Sequence, residues 1–259
     1  PIAKKGDQMK NIEEINKILT ESVGLTSLPV GLKFYQTIPT NGYKSADDHR
    51  LCQLVMRARK GENLILTKDE ISCPAAAAAL GFKPLPKNLQ DGTMLQGYGI
   101  FRDKEAAVKV MNDMPRLEQG RFEAIAAKPL KDWDEDPDVI VIEDEVEKLM
   151  WIALAYLNEE GGRLDMSTSI LQAVCVDSVV LPFKSQKINM SFGCYGCRDA
   201  TDAKSNEAIL GIPFPKLDMT IENIKYLKSK AIDRSRAKQV YQAFSKRVED
   251  KQNIPQQVK

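Results

Sequence analysis

Apolar residues recur along the chain in two spacings that predict alternating helices and strands. Apolar positions three and four residues apart are typical of helices with one buried face, and short apolar runs between turn residues are typical of buried strands. In the first half, helices are predicted over residues 11–23, 47–60, 74–80 and 104–111. Strands are predicted over residues 28–35, 63–66 and 97–101.

The second half repeats this order of elements. Strands are predicted over residues 137–142 and 188–192, and helices over residues 145–157, 169–180 and 221–227. Three pairs of corresponding residues have similar offsets: Pro29 and Pro137 are 108 apart, Cys73 and Cys194 are 121 apart, and Gly99 and Gly211 are 112 apart. Offsets that drift in this way indicate an old duplication followed by insertions.

We therefore predict an α/β (α+β) fold of two loosely repeated strand–helix halves, packed around a shared cysteine site. The first half covers residues 28–132 and the second covers residues 133–232. Residues 1–27 are expected to add an N-terminal helix, and residues 233–259 a charged helix and tail. With 259 residues, 43% of them hydrophobic, the chain is long enough to bury a substantial core.

The five cysteines carry the strongest chemical signal. Cys52 and Cys73 are 21 positions apart, and Cys175 and Cys194 are 19 apart. Paired cysteines on separate segments indicate one thiolate cluster built from two related halves, and thiolates are the ligands that soft metals and iron–sulfur clusters prefer. The fifth, Cys197, completes a Cys-x-x-Cys run with Cys194.

The Cys194/Cys197 run is typical of a metal-binding turn. Gly193 and Gly196 supply backbone freedom there, so that both sulfurs can reach one ion. A thioredoxin-like dithiol fits less well, because no helical pattern begins cleanly at Cys194.

The remaining cysteines differ in what they indicate. Cys73 precedes Pro74 at a predicted helix start, where free amides favour a thiolate. Cys52 and Cys175 lie in apolar helical segments typical of buried cysteine, and only their paired spacing marks them as ligands.

Composition limits the classes of binding partner and the cellular location that we expect. A net charge of +1 gives no reason to expect nucleic acid. No apolar run reaches the roughly 18 residues of a membrane span, and residues 1–7 lack the apolar core of a signal peptide, so we expect a cytoplasmic location. In a reducing compartment five cysteines favour metal binding or catalysis over disulfides. The acidic runs at residues 134–136 and 143–145 are interpreted as solvated.

Three segments together resemble a known family, the archaeal and bacterial domain of unknown function 169. These are Cys52 with Arg57-Ala58-Arg59-Lys60-Gly61, then Cys73-Pro74-Ala75 through Leu80-Gly81, and then Ser191-Phe192-Gly193-Cys194-Tyr195-Gly196-Cys197-Arg198. The resemblance extends from about Leu28 to Leu227. It implies a shared fold and cysteine pattern, and it implies little about activity because the family has no established function.

A [4Fe–4S] cluster is the favoured cofactor, because such clusters accept cysteine ligands from distant segments. The predicted ligands are Cys52, Cys73, Cys194 and Cys197, with Cys175 as the alternative that the repeat demands. Zinc is the other candidate metal, although structural zinc sites commonly use two short ligand pairs. Arg50 and Arg198 neighbour these cysteines and are predicted charge partners of the cluster or of an anionic substrate.

The leading hypothesis is an iron–sulfur redox protein. It would act as an electron carrier, or as an oxidoreductase component that transfers electrons to a partner protein or a small anionic molecule. The first alternative is a zinc-thiolate structural or interaction protein. The second is an enzyme without a metal that uses an activated thiolate, for which Cys73 is the candidate. The sequence leaves the oligomeric state open, including a homo-oligomer.

Overall fold

The computed structural model describes residues 5–236, with side chains for residues 12–159 and 161–235. Seven strands form one mixed sheet with the order β2-β3-β4-β1-β5-β7-β6. The strands are β1 (Val30–Tyr35), β2 (Lys44–Ser45), β3 (Leu64–Thr67), β4 (Ala124–Pro129), β5 (Val139–Glu145), β6 (Asn189–Ser191) and β7 (Glu207–Pro213). All neighbouring strands are antiparallel except β2 and β3. The predicted α/β class is confirmed.

Helices connect the strands. They are α1 (Lys5–Ile18), α2 (Leu51–Ala58), α3 (Pro74–Ala79), α4 (Lys87–Gln90), α5 (Thr93–Gly97), α6 (Lys104–Asn112), α7 (Val146–Glu160), α8 (Leu181–Ser185), α9 (Tyr195–Ala200), α10 (Leu217–Leu227) and α11 (Asp233–Arg236). Three π-helical segments lie at Leu19–Val23, Ala173–Val180 and Lys228–Ile232, and 3₁₀ turns lie at Leu130–Asp132 and Phe214–Lys216. In the described part of the chain no helix is long and apolar enough to cross a membrane.

The sheet separates two hydrophobic cores, because alternate side chains of each strand point to opposite faces. On one face, strand residues such as Val30, Leu32 and Val141 pack with α2, α3 and the π-helix 173–180. On the other face, residues such as Ile140 and Ile142 pack with α1, α7 and α10. All five cysteines belong to the first face, so the predicted thiols share one side of the sheet.

The strand connections repeat in the two halves. In the first half β1 pairs with β4, and β4 with β3; in the second, β5 pairs with β7, and β7 with β6. The halves meet where β1 and β5 run antiparallel at the centre of the sheet. Because β1 and β5 are antiparallel, an approximate two-fold axis perpendicular to the sheet relates the two halves. Such a rotation keeps equivalent residues of the two halves on the same face of the sheet. The predicted repeat of strand–helix halves is therefore present.

One proposed correspondence is wrong. Residues 97–101 were predicted as a strand, but they form the end of α5 and a turn, so Gly99 has no equivalence with Gly211 in β7. The true counterpart of β7 is β4, whose alanine-rich sequence has a single β-branched residue, Ile125. The helix that residues 47–50 were predicted to cap begins at Leu51, directly after its N-cap Arg50, and ends at Ala58. The predicted C-terminal helix lies largely outside the described residues.

A buried ion network ties the halves together beside the cysteine face. Arg59, just past the end of α2, donates to Glu207 at 2.9 Å and to Glu143 at 3.3 Å. The Glu143 and Glu207 side chains are 4% and 3% exposed. The run 143–145 is thus strand β5 and largely buried, not the solvated segment that its charge predicted. A buried carboxylate that keeps an arginine partner avoids the cost of an unpaired buried charge.

Candidate functional site: a five-thiol cluster

Cys52 and Cys73 enter the site from the first half. Cys52 lies on the first turn of α2, and Cys73 is the residue immediately before α3. Pro74 occupies the first turn of α3 as predicted, because it has no N–H that the helix would leave unsatisfied. Both thiols are half-buried and pack against the core of the cysteine face.

Cys175, Cys194 and Cys197 enter from the second half and are buried. Cys175 lies in the π-helix 173–180, and Cys194 immediately precedes α9, which contains Cys197. Cys194 follows β6 as Cys73 follows β3, and Cys175 precedes β6 as Cys52 precedes β3. The matched cysteines therefore lie on equivalent elements, as the spacing predicted.

The secondary structure brings these thiols together. Helix α2 contacts both α9 and the π-helix 173–180, and that π-helix contacts α3. Burial, with Cys194 and Cys73 as charged neighbours, raises the pKa of Cys52 to about 12. Burial, with Cys73, Cys194 and Cys52 as neighbours, raises the pKa of Cys175 well above its ordinary value. Cys73 and Cys194 are therefore close enough to Cys52 and Cys175 to oppose the ionisation of those two thiols.

Cys194 is the acidic member of the cluster. A hydrogen bond from the Cys197 thiol is the main cause that lowers the pKa of Cys194 to about 6; burial opposes it, and the amides of Ala173, Cys197 and Gly196 reinforce it. The same interaction raises the pKa of Cys197. The backbone N–H of Cys197 donates to Cys194 Sγ at 3.3 Å, as expected for the residue that caps a helix. Cys194 is thus the thiol of this pair that ionises first.

A helix therefore begins immediately after Cys194, at Tyr195. No clear helical start was predicted at Cys194, so the reason for discounting a dithiol pair is wrong. Gly193 has a φ of 90°, which supplies the backbone freedom predicted for the turn, whereas Gly196 lies within the helix.

The two predicted arginines have different surroundings. Arg50 donates from Nη1 to the Gly196 carbonyl at 3.1 Å, and its charge lowers the pKa of Cys52, although burial outweighs that effect. Arg198 donates to three carbonyl oxygens, those of Phe192, Lys204 and Glu207. Arg50 therefore lies at the thiols, and Arg198 fastens the loop that carries Cys194.

Backbone groups contact the thiols of the Cys194/Cys197 turn. The Cys194 N–H donates to Cys197 Sγ at 3.0 Å, and Cys197 Sγ lies 3.2 Å from the Cys194 carbonyl oxygen. Among residues 5–236 no group of three His, Cys, Asp or Glu side chains is already placed to hold a metal ion. Metal ligation would therefore require cysteine side chains to rotate away from these hydrogen bonds.

Polar residues that the sequence did not single out adjoin the cluster. Asp177 follows Cys175 by two positions, is 2% exposed, and accepts hydrogen bonds from Thr168 at 2.6 Å and Ser191 at 2.8 Å. The detectable signal was one acidic residue in the otherwise apolar segment 173–180. Nearby, Ile170 and Gln172 adopt φ values of 59° and 55°. A left-handed backbone is unfavourable for a β-branched residue, so tertiary contacts must hold this loop.

Comparison with known proteins gives a family for the chain. The model of the domain of unknown function 169, described as "Uncharacterised ArCR", matches residues 18–223. The chain belongs to this family. It is 30% identical over 226 residues to the uncharacterized protein MJ0308 of Methanocaldococcus jannaschii, an alignment covering 85% of this chain and 96% of that protein. No solved structure matches the chain. The resemblance inferred from the cysteine segments is confirmed.

Proposed function

We propose that this protein is an iron–sulfur redox protein that holds a [4Fe–4S] cluster at the five-thiol cluster. Cys52, Cys73, Cys194 and Cys197 are the proposed ligands, with Cys175 as the alternative. The observation that carries the proposal is that all five cysteines of the chain pack into one core on one face of the sheet. Thiolates from separate segments are the donor set that iron–sulfur clusters use.

The electrostatics of the cluster support a cationic occupant. Without a cation, the thiols oppose one another's ionisation, which with burial raises the pKa of Cys52 and Cys175. A metal centre reverses this effect, because its positive charge stabilises every nearby thiolate. Arg50 would offset the remaining negative charge, and the buried setting would tune the reduction potential.

Electron transfer requires a route to a partner. Phe192 and Tyr195 flank Cys194 and are 59% and 70% exposed, so the most acidic thiol lies beneath an exposed aromatic surface. We propose that a redox partner protein exchanges electrons there. A small anionic substrate remains the other proposed acceptor, with Arg50 as its nearest predicted contact.

The decisive experiment is anaerobic purification of the full chain, followed by assays for iron and acid-labile sulfide, visible absorbance, and electron paramagnetic resonance after reduction. The proposal predicts brown protein with about four iron and four sulfide per chain. The control is the Cys73→Ser/Cys194→Ser double variant, purified in parallel, which should be colourless. Colourless protein with one zinc per chain would establish the zinc-thiolate alternative. Colourless, metal-free protein in which Cys73 alone is alkylated rapidly would establish the thiolate enzyme.

A second candidate function is dithiol–disulfide exchange by Cys194 and Cys197. It is favoured by the helix that begins right after Cys194 and by the pKa of about 6 at that thiol. Oxidation would join the two sulfurs and release two protons and two electrons to an acceptor disulfide, which becomes two thiols. Mass spectrometry of metal-free protein equilibrated with oxidised glutathione tests it: a Cys194–Cys197 disulfide supports this function, and two free thiols exclude it.

A further inference from the structure

A cavity of about 390 Å³ opens between α6 and the π-helix 173–180, next to the five-thiol cluster. This volume lies within the range of small-molecule sites. The apolar residues of its lining include Val110, Met114, Val176 and Leu181. The lining also has polar residues, which include Thr168 and Asp177. The cavity thus offers both apolar and polar contacts to an amphipathic small molecule.

The Asp177 carboxylate is only half satisfied. Thr168 Oγ1 and Ser191 Oγ both donate to the same atom, Asp177 Oδ2. Within the described part of the chain, no side-chain hydrogen bond reaches Asp177 Oδ1, although the residue is 2% exposed and lines the cavity. The printed side-chain partners of this carboxylate are two neutral hydroxyl groups, so the site is suited to a cationic ligand that adds a charged hydrogen-bond donor.

The charges around the cavity select the sign of that ligand. Asp177 and Asp113 both line the cavity, whereas Lys109 is the only cationic residue in the lining and is exposed on α6. The exposed Asp113 and Lys109 offset each other, so the buried Asp177 carboxylate favours a cation over an anion, and an ammonium donates strong hydrogen bonds to a carboxylate.

We propose that this cavity binds a small amphipathic primary amine, with its ammonium group on Asp177 and its apolar chain along Val110, Met114, Val176 and Leu181. This inference goes beyond the proposed iron–sulfur function and stands without it. Asp177 is two residues from Cys175, and Ser191 is three residues from Cys194, so a bound amine lies beside the thiols.

The test is isothermal titration of the full chain with n-hexylamine, and separately with hexanoate and hexan-1-ol, which keep the chain but change the head group. Saturable binding of n-hexylamine is expected, with hexanoate giving none and hexan-1-ol binding at least about tenfold more weakly. Asp177→Asn keeps acceptors for Thr168 and Ser191 but removes the charge, and it should weaken n-hexylamine binding about tenfold or more.

A second variant guards against misfolding of Asp177→Asn. Ala106 is exposed on α6 and lines the cavity, so Ala106→Trp should fill it and abolish n-hexylamine binding without disturbing the core. Hexanoate binding as strongly as n-hexylamine, or n-hexylamine binding unchanged by Ala106→Trp, would overturn the proposal. Iron content measured on the same samples separates the two ideas: amine binding by iron-free protein would reject the cluster and keep this site.

Discussion

Cys73 and Cys194 occupy equivalent positions in the two halves, each immediately before the helix that follows β3 or β6. The difference between them lies three residues further on, where the first half has Ala76 and the second has Cys197. The thiol hydrogen bond that makes Cys194 acidic is therefore available in one half alone. Four cysteines follow the repeat, and the fifth breaks it.

The first prediction concerns the ligand set. Single replacement of Cys52, Cys73, Cys194 or Cys197 by serine should strongly deplete iron, because a cubane cluster needs four ligands. Cys175→Ser should leave iron nearly intact, because the other four cysteines supply all four ligands that a cubane cluster needs. Iron and sulfide analysis of the five variants measures this. Loss of iron in Cys175→Ser with retention in Cys197→Ser would instead favour the symmetric set of four.

The second prediction concerns the acidity of Cys194 in metal-free protein. The fraction of Cys194 thiolate should rise with a midpoint near pH 6, because the Cys197 thiol and nearby amides stabilise the charge. Alkylation by iodoacetamide at a series of pH values, with mass spectrometry to locate the label, measures this midpoint. Cys197→Ala removes the donating thiol and should move the midpoint upwards. An unchanged midpoint in that variant would show that Cys197 is not the cause.

The third prediction is a pH dependence of stability at Glu143. Burial, opposed by Arg59, raises the pKa of Glu143 to about 7 in the folded protein, above its ordinary value of 4.5. Its contribution to stability is therefore fully present below about pH 4.5 and is lost as the pH rises through about 7. Glu143→Gln cannot ionise, so wild type should lose roughly 3 kcal/mol relative to it across that range. Urea unfolding over this range tests the prediction, and a pH-independent difference would contradict it.

The fourth prediction concerns Gly211, where β7 meets the π-helix 173–180. A methyl group at Gly211 would overlap the carbonyl of Ser178 and lie 2.8 Å from Pro182 Cγ. Gly211→Ala should therefore cost about 1–3 kcal/mol of unfolding free energy and push the π-helix off the sheet. In Gly97→Ala the new methyl meets nothing within 4 Å, so this control should change stability by less than about 1 kcal/mol. Equal stabilities of the two variants in urea unfolding would contradict the prediction.

Strongly patterned elements of this fold were predictable from sequence, and weakly patterned ones were not. Proline in the first turn and an alanine run located α3, and an apolar run located β1. Strand β4 was missed because Ala124 and its alanine neighbours have low strand propensity, and pairing with β1 and β3 overrides it. The strand predicted at 97–101 failed because glycines flanking apolar residues also occur in helix ends and turns.

In the candidate site, too, some features were predictable from sequence and others were not. Cysteine spacing predicted which thiols are equivalent, because the separation of the paired cysteines is similar in the two halves, at 21 and 19 positions. Burial and hydrogen-bond partners depend on the folded chain, so the roles of Asp177 and Arg198 could not be read from their neighbours in sequence. Arg198 was predicted from its position beside Cys197 alone, whereas its contacts are made with Phe192, Lys204 and Glu207.

The antiparallel join of β1 and β5 has a consequence for the origin of the chain. A single half, with two cysteines and an exposed β1-type strand edge, could pair with its own copy and assemble four thiols as a symmetric homodimer. After fusion of two such genes, the two halves would no longer have the same sequence by necessity, and each could acquire different residues. Cys197, Arg198 and Asp177, all confined to the second half, are differences that such a fusion permits.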